Sequence, residues 1–501
     1  MGIVQRQSLS LTVISYAGAT LGMINRVLLL TNFLTTPQVG LFNVLTIVAI
    51  LYAQFAALGM GNVGIRFFPY FENREKKHNG FLFWGTCIVI VGFLLSTVIF
   101  LLFKPLIIKH YSIQSPMIIE YYNYLIPLAF AMVLFQFFDT YLRALMKTII
   151  ATFLSEILNR LLVTFCIALL AFKWINFHQF VYLYILSNFI LTFILVCYMA
   201  YLKQLHIMPT GSRLIRRMFK IIVLYGVFTI LSSLGGAVLS SIDSIMMTGM
   251  LDLSKVGIYT TIAFFPVIIS LPYRSLQRTT YPLIPRYWRT KDMKSMEALY
   301  HKTTLITMVV GGVLLLEIWT NLDFILSFMP KDYSDGKTIF LFLAIATYVD
   351  MMAGLNGIIM MTSKKYKYDL WCMFLLIGLT IIMNLIFIPL YGMTGAALAS
   401  AISVIVYNLA RVFFVRLFFK MQPFTINCLW ILLITILIWI LSVFLPHFEN
   451  RYVNLVFCSA IISILYVGAV LLLKLSPDVN RIAYNITKLK FLLPEEDSIS
   501  S

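Results

Sequence analysis

Long apolar runs follow one another along this chain with only short polar breaks between them, and within each run the apolar positions are continuous rather than alternating. A helix needs about 20 such residues to cross the hydrocarbon of a bilayer, whereas a barrel strand needs about ten, with every second one apolar. The pattern therefore predicts helices, which satisfy their own backbone hydrogen bonds inside the membrane. Fourteen runs are long enough: 9–31, 39–60, 80–103, 119–141, 149–172, 178–201, 219–247, 256–276, 303–320, 338–361, 369–388, 392–415, 427–446 and 452–473. They are numbered here as spans 1 to 14. The fold class that follows is an all-α polytopic membrane protein.

The polar breaks give the orientation. With both termini and every second loop on one side, twenty-eight of the thirty-eight Lys and Arg residues fall on that side and seven on the other. Basic residues concentrate in cytoplasmic loops, so the chain is expected to be N-in and C-in. Arg26, Arg160 and Arg274 remain inside spans. No cleaved signal peptide is expected, because MGIVQRQS leads almost directly into span 1 without a small-residue cleavage site. The loops are too short for a folded domain. The longest cytoplasmic one, 277–302, reads QRTTYPLIPRYWRTKDMKSMEALYHK, and its second half is predicted to be an interfacial amphipathic helix.

Composition agrees with this pattern. Of 501 residues 61% are hydrophobic and 12% charged, against about 25% charged in soluble domains. The net charge of +18 is accounted for by the cytoplasmic loops and implies no nucleic-acid partner. Six cysteines are dispersed through apolar runs without metal-ligand spacing, so neither a metal site nor a disulfide framework nor a cofactor is expected.

The chain also matches itself weakly. QVGLFNVLTIVA from Gln38 resembles KVGIYTTIAFFP from Lys255, which pairs Val39-Gly40 with Val256-Gly257 at an offset of 217 residues. The same offset sets Pro69 near Pro285 and places Arg26 of span 1 on Asp243 of span 7. A repeat of six spans keeps both copies in the same orientation, as in transporters built from two parallel bundles around a central cavity. The expected division is a first lobe at 1–205, a second at 206–420, an extra helix pair at 421–473 and a cytoplasmic tail at 474–501.

A charge within a span costs about 2.5 kcal/mol or more near the bilayer centre, and so faces the bundle interior or water by default. Arg26, with Asn25 beside it, is read as a cavity residue, with snorkelling as the alternative. Arg274 has the same two readings. Asp243 has no basic neighbour within a turn, and Arg26 is its first candidate partner. Asp139 and Arg143, and likewise Glu156 and Arg160, lie four apart on one helix face. Intrahelical pairing is the simpler account for both, although Glu156 and Arg160 lie deep enough to form a polar cavity wall. Asp350, with Asn356 on the same predicted helix, is either a proton or cation site or a helix-packing hydrogen bond. Arginine is the group of choice for phosphate, since its planar fork donates two parallel hydrogen bonds and stays charged.

Three stretches carry a family likeness: LGMGNVGIRFF (Leu58–Phe68), SSIDSIMMTGMLDLSKVGIYTTI (Ser240–Ile262) and NLIFIPLYGMTGAALASAIS (Asn384–Ser403). With the 14-span plan, they resemble the polysaccharide flippase branch of the multidrug/oligosaccharidyl-lipid/polysaccharide exporter superfamily, the O-antigen and capsule translocases. The chain departs from that pattern after Asp243, where Ser244 stands in place of a frequent basic residue.

The resemblance implies a flippase that carries a polyprenyl-pyrophosphate-linked oligosaccharide from the cytoplasmic to the outer leaflet of a bacterial inner membrane by alternating access. It implies membrane lipids, a polysaccharide polymerase and glycosyltransferases as partners, and no chemical active site. Related lipid II flippases hold pyrophosphate with arginines in spans 1 and 8, the helices of Arg26 and Arg274, and use an added helix pair, here spans 13 and 14, as a groove for the lipid tail. The expected substrate-binding residues are Arg26, Arg274, Asn25, Arg160 and Arg66, and the expected ion-coupling residues Asp243, Glu156 and Asp350. A multidrug or cation exporter of the same superfamily and a membrane polysaccharide polymerase or ligase are the alternatives. The first typically has twelve spans, and the second usually carries a large outward loop.

Overall fold

A computed structural model describes residues 3–73, 77–111, 114–206, 218, 220–226, 229–230, 241–281, 283–446, 448 and 450–487. Among these residues the secondary structure is helical, without strands. Ten helices among the described residues are long and apolar enough to cross a membrane, or eleven if the bent pair Gly336–Met352 and Asn356–Thr362 is one span. The middle of span 7, residues 231–240, lies outside the described residues, and with it SLGGAVLSS apart from its last serine. Helix Ile426–Ser442 supplies a shorter apolar segment where span 13 was predicted.

Local chemistry sets the helix ends. Thr35 and Gln38 form a capping box at the start of Thr36–Ala56, with Pro37 in the first turn where its missing N–H costs nothing. Asn176 caps Phe177–Tyr201 by accepting from the Gln179 amide at 2.9 Å. Asp292 caps Met293–Thr320 through the Ser295 amide. From that cap the second half of the 277–302 loop, predicted as a separate interfacial helix, runs without a break into span 9, while the first half holds a short helix, Leu283–Thr290.

Spans 11 and 12 are one stretch of helical hydrogen bonding, Tyr366–Phe419, 54 residues long. At 1.5 Å per residue a straight helix of that length would reach about 80 Å, far beyond a bilayer. Gly392, at φ 59° and ψ −134°, breaks it. Two contacts show that the chain turns back there. A Cβ on Gly395 would collide with the Phe387 carbonyl, which a continuous helix would hold about 12 Å away. Farther from the tip, Asp369 and Arg411 pair at 2.6 Å.

The structure divides into two compact units, Met1–Thr260 and Thr261–Ser501, with the boundary inside span 8. In the first unit an aromatic-rich core joins spans 2 to 6, including Phe68, Phe71, Phe137 and Tyr141. Helix Thr36–Ala56 also packs against the start of span 8. A Cβ on Gly40 would collide with the Leu253 carbonyl, and one on Gly257 with the Thr36 carbonyl. Thr36 and Ser254 hydroxyls share a hydrogen bond of 2.5 Å beside this crossing. Gly40 and Gly257 are the pair that the 217-residue offset aligns.

In the second unit, spans 13 and 14 pack on span 9. Ile431, Ile434 and Ile462 meet Leu305, Met308 and Leu316. Tyr466 shares a hydrogen bond with Thr435 at 3.2 Å, and its hydroxyl lies so close to Gly312 that a Cβ there would collide with it.

Overpacking a tight contact costs about 1–3 kcal/mol. Gly40→Ala is therefore expected to destabilise the detergent-solubilised protein by about that amount. Gly378→Ala, where a Cβ meets nothing within 4 Å, is expected to leave the thermal midpoint unchanged or raised. Equal midpoints for the two variants would remove the crossing as a structural constraint.

Candidate functional site

Spans 1 and 5 meet through paired irregularities. Span 1 carries a π-helical segment, Ile24–Leu29, and span 5 another, Leu154–Leu158. Such bulges occur mostly as single turns and frequently at functional sites. Gly18 and Gly22 let the helices approach: a Cβ on Gly18 would meet the Glu156 carbonyl at 2.7 Å, and one on Gly22 the Arg160 guanidinium at 2.6 Å. Arg160 donates to Glu156 at 2.7 Å and to the Gly18 carbonyl. The Glu156–Arg160 pair expected from spacing is present, and it also ties two spans together.

Asn25 completes the seam. Its amide donates to the Arg160 carbonyl at 2.8 Å and its oxygen accepts from Thr164 at 2.7 Å. Arg160 lies just past the bulge of span 5, and its carbonyl also accepts from the Thr164 hydroxyl at 2.8 Å.

Arg26 lies next to Asn25 in the bulge of span 1 and is half-buried. Its guanidinium donates to the Asn43 side-chain oxygen at 3.2 Å. Asn43, fully buried, donates in turn to Thr260 at 2.9 Å. Asn43 and Thr260 are also related by the 217-residue offset. Tyr184 and Arg160 lie close enough to act on the Arg26 charge, and Tyr184 shares a hydrogen bond with Thr46. Asp243, the repeat mate of Arg26, lies in the first turn of Ile242–Met250, where the helix dipole favours a carboxylate. It accepts from Tyr259 at 2.9 Å. Arg26 and Asp243 thus bond to residues at the same helix crossing, Asn43 from one repeat and Tyr259 from the other.

The second unit holds a separate polar group. Asp350 accepts from Asn408 at 3.1 Å, and Asn356 donates to Asn408 at 3.3 Å. Asp350 and Asn356 do not share one straight helix as predicted: the chain bends by 54° between them, and Asn408 of span 12 bridges the two. Arg274 is exposed on its helix, close enough to act on the Asp350 charge. Arg66 lies apart from the Arg26 group, exposed, with its guanidinium 4.4 Å from the Tyr225 ring centroid. Asp139 and Arg143 pair within their helix at 2.6 Å.

Residue spacing did not single out several members of these groups. Arg411 was assigned to the cytoplasmic end of span 12. Instead its side chain is largely buried, paired with Asp369 and stacked 4.2 Å from the Tyr407 ring centroid. Gly357 leaves room for it. Asn43, Thr260 and Tyr184 were also missed, although the repeat offset that pairs Gly40 with Gly257 also pairs Asn43 with Thr260. Among the described residues no three His, Cys, Asp or Glu side chains are grouped to hold a metal ion.

Hydrogen bonds between membrane helices contribute about 0.6 kcal/mol on average and up to about 1.7 kcal/mol in double-mutant cycles. A cycle on Asn25→Ala and Thr164→Ala is expected to give a coupling energy in that range in an unfolding assay. Additive effects would mean that the seam does not hold the bulge.

Residues 4–288 match the family model described as "Polysaccharide biosynthesis protein". An uncharacterized membrane protein of Methanocaldococcus jannaschii is 21% identical over 81% of this chain and 82% of its own length. The capsular polysaccharide biosynthesis protein CapF of Staphylococcus aureus is 22% identical over 40% of this chain and 51% of its own length. Among solved structures, the lipid II flippase MurJ in an inward closed conformation superposes with a TM-score of 0.69 at 14% identity, over 91% of this chain and 98% of that one. An inward-facing multidrug resistance transporter of the MATE family gives a TM-score of 0.60 at 14% identity, over 81% and 97%. The family match spans more than half of the sequence, and the fold is shared with transporters of the flippase and multidrug type: the chain belongs to the polysaccharide biosynthesis protein family.

Proposed function

We propose that this protein is a flippase that moves a polyprenyl-pyrophosphate-linked oligosaccharide from the cytoplasmic to the outer leaflet of a bacterial inner membrane, for O-antigen or capsule assembly. The observation that carries this reading is Arg26: a guanidinium on a π-bulge, braced by Asn43, with the guanidinium of Arg160 nearby. The Arg26 fork suits a pyrophosphate better than it suits a hydrophobic cation, and Arg160, held by Glu156 and the Gly18 carbonyl, adds a second guanidinium beside it. Asp243 is the resting counter-charge of Arg26, which exchanges that carboxylate for substrate phosphate. Arg274 and Arg66 supply further positive charge along the path.

The driving force is an ion or substrate gradient. No phosphate-binding Gly-x-x-x-x-Gly-Lys-Ser/Thr loop occurs in the sequence to support nucleotide hydrolysis. Glu156, Asp243 and Asp350 are the carboxylates placed to couple an ion. Glycosyltransferases that build the lipid-linked unit and a polymerase that consumes it are the partners. The family match and the CapF relative support a polysaccharide precursor over a drug.

Complementation of a flippase-deficient strain tests the arginine. Arg26→Ala is expected to cut surface glycan at least tenfold at unchanged protein level, a loss of about 1.4 kcal/mol. Arg26→Lys is expected to restore it only in part, because a point charge lacks the fork. Full export by the alanine variant would remove Arg26 as the pyrophosphate ligand. In vesicles, transport indifferent to pH, sodium and membrane potential would end the ion-coupling part of the reading.

A further inference from the structure

Spans 2, 4, 5 and 6 enclose a cleft of about 240 Å³ within the first unit. Five of its lining side chains are polar and uncharged: Gln54, Gln136, Ser155, Asn159 and Asn188. Four carboxamides around one space inside a membrane bundle are costly unless their hydrogen bonds are made. Some are made. The Asn188 amide donates to the Tyr184 carbonyl at 2.9 Å, and Ser155 donates to the Thr152 carbonyl at 3.2 Å. The Gln54 Oε1 and Asn159 Oδ1 atoms, however, are buried without a partner. Amides recruited only for helix packing would bond one another or a backbone, and these two oxygens do neither.

The lining chemistry defines the missing partner. The cleft has no ionisable side chain, so neither a phosphate nor a metal cation finds a counter-charge there. Orphaned carbonyl oxygens want donors, and carboxamides both accept and donate, which matches the vicinal hydroxyls of a sugar. Phe135, on the same wall, offers an apolar face to the C–H side of a pyranose. The volume falls below the ~300–1,000 Å³ of pockets for drug-sized ligands, which suits one ring rather than an oligosaccharide.

The position is also informative. Ser155 and Asn159 lie on span 5, each one residue before Glu156 and Arg160. The same bulged helix presents Ser155 and Asn159 to the cleft while Glu156 and Arg160 meet span 1. We infer that the cleft is a subsite for one neutral monosaccharide ring of the transported headgroup, with Gln54 and Asn159 as acceptors of its hydroxyl protons. The assignment of the ring to a transported headgroup rests on the flippase reading; the sugar chemistry of the cleft does not.

Two readouts separate those levels. In the full-length protein in nanodiscs, Ser155→Cys is alkylated by a small water-soluble thiol reagent, and protection is measured with methyl glucoside, N-acetylglucosamine or glycerol. The monosaccharides are expected to slow labelling at least fivefold at concentrations where glycerol does not. Gln54→Leu or Asn159→Leu in that background is expected to abolish the protection while leaving the melting temperature in place. Second, binding of polyprenyl pyrophosphate with and without an attached N-acetylglucosamine is compared in the otherwise unaltered protein. The sugar is expected to tighten binding at least tenfold, and Asn159→Leu to erase that difference without weakening the bare lipid.

Equal protection by glycerol, or protection that survives both leucine variants, overturns the subsite. Sugar protection with no binding of either lipid keeps the subsite and overturns the flippase reading. Equal binding of both lipids overturns the assignment of the ring to the headgroup.

Discussion

A guanidinium inside hydrocarbon has to find its hydrogen bonds within the protein, and the first unit is arranged around that requirement. Arg26 is held by Asn43, and Asn43 is held by Thr260 at the point where two repeat-related helices cross. The crossing needs glycine at positions 40 and 257, because any side chain there would meet a carbonyl. One constraint therefore links local sequence, helix packing and charge. Without the close crossing Asn43 loses its bond to Thr260, and without Asn43 the Arg26 guanidinium loses one of the groups that hold it in the bundle.

The same economy governs span 5. Its π-bulge interrupts regular hydrogen bonding, and beside the bulge Asn25 and Arg160 bond between spans 1 and 5. In return the bulge turns one pair of polar residues toward span 1 and the preceding pair toward the amide-lined cleft. A regular helix would carry the same residues in a different phase. Charged and neutral polar side chains thus share one helix, each pair facing a different neighbour.

Some of this was legible in the sequence and some was not. Among the described residues the apolar runs located most of the membrane helices within a few residues, because length against bilayer thickness is a one-dimensional criterion. The i, i+4 pairs Asp139–Arg143 and Glu156–Arg160 were legible for a similar reason: their geometry is internal to one helix. The offset that pairs Gly40 with Gly257 was also visible, and it carried Asn43 and Thr260 with it unrecognised. What escaped depends on rotational phase and on which helices become neighbours. Arg411 looks like a basic residue at a cytoplasmic helix end, and only the turn at Gly392 brings Asp369 back to bury it. The π-bulges and the Gln54–Asn159 cleft are of that kind as well, since no linear pattern distinguishes a packing amide from an orphaned one.

The central claim is that the polar seam around Arg26 recognises a pyrophosphate on a lipid. Reconstitution measures it most directly, by following transbilayer movement of one fluorescent sugar carried either on polyprenyl pyrophosphate or on an uncharged polyprenyl ether. The account predicts movement of the pyrophosphate-linked form at least tenfold faster than the neutral form. Equal rates for the two lipids would contradict it.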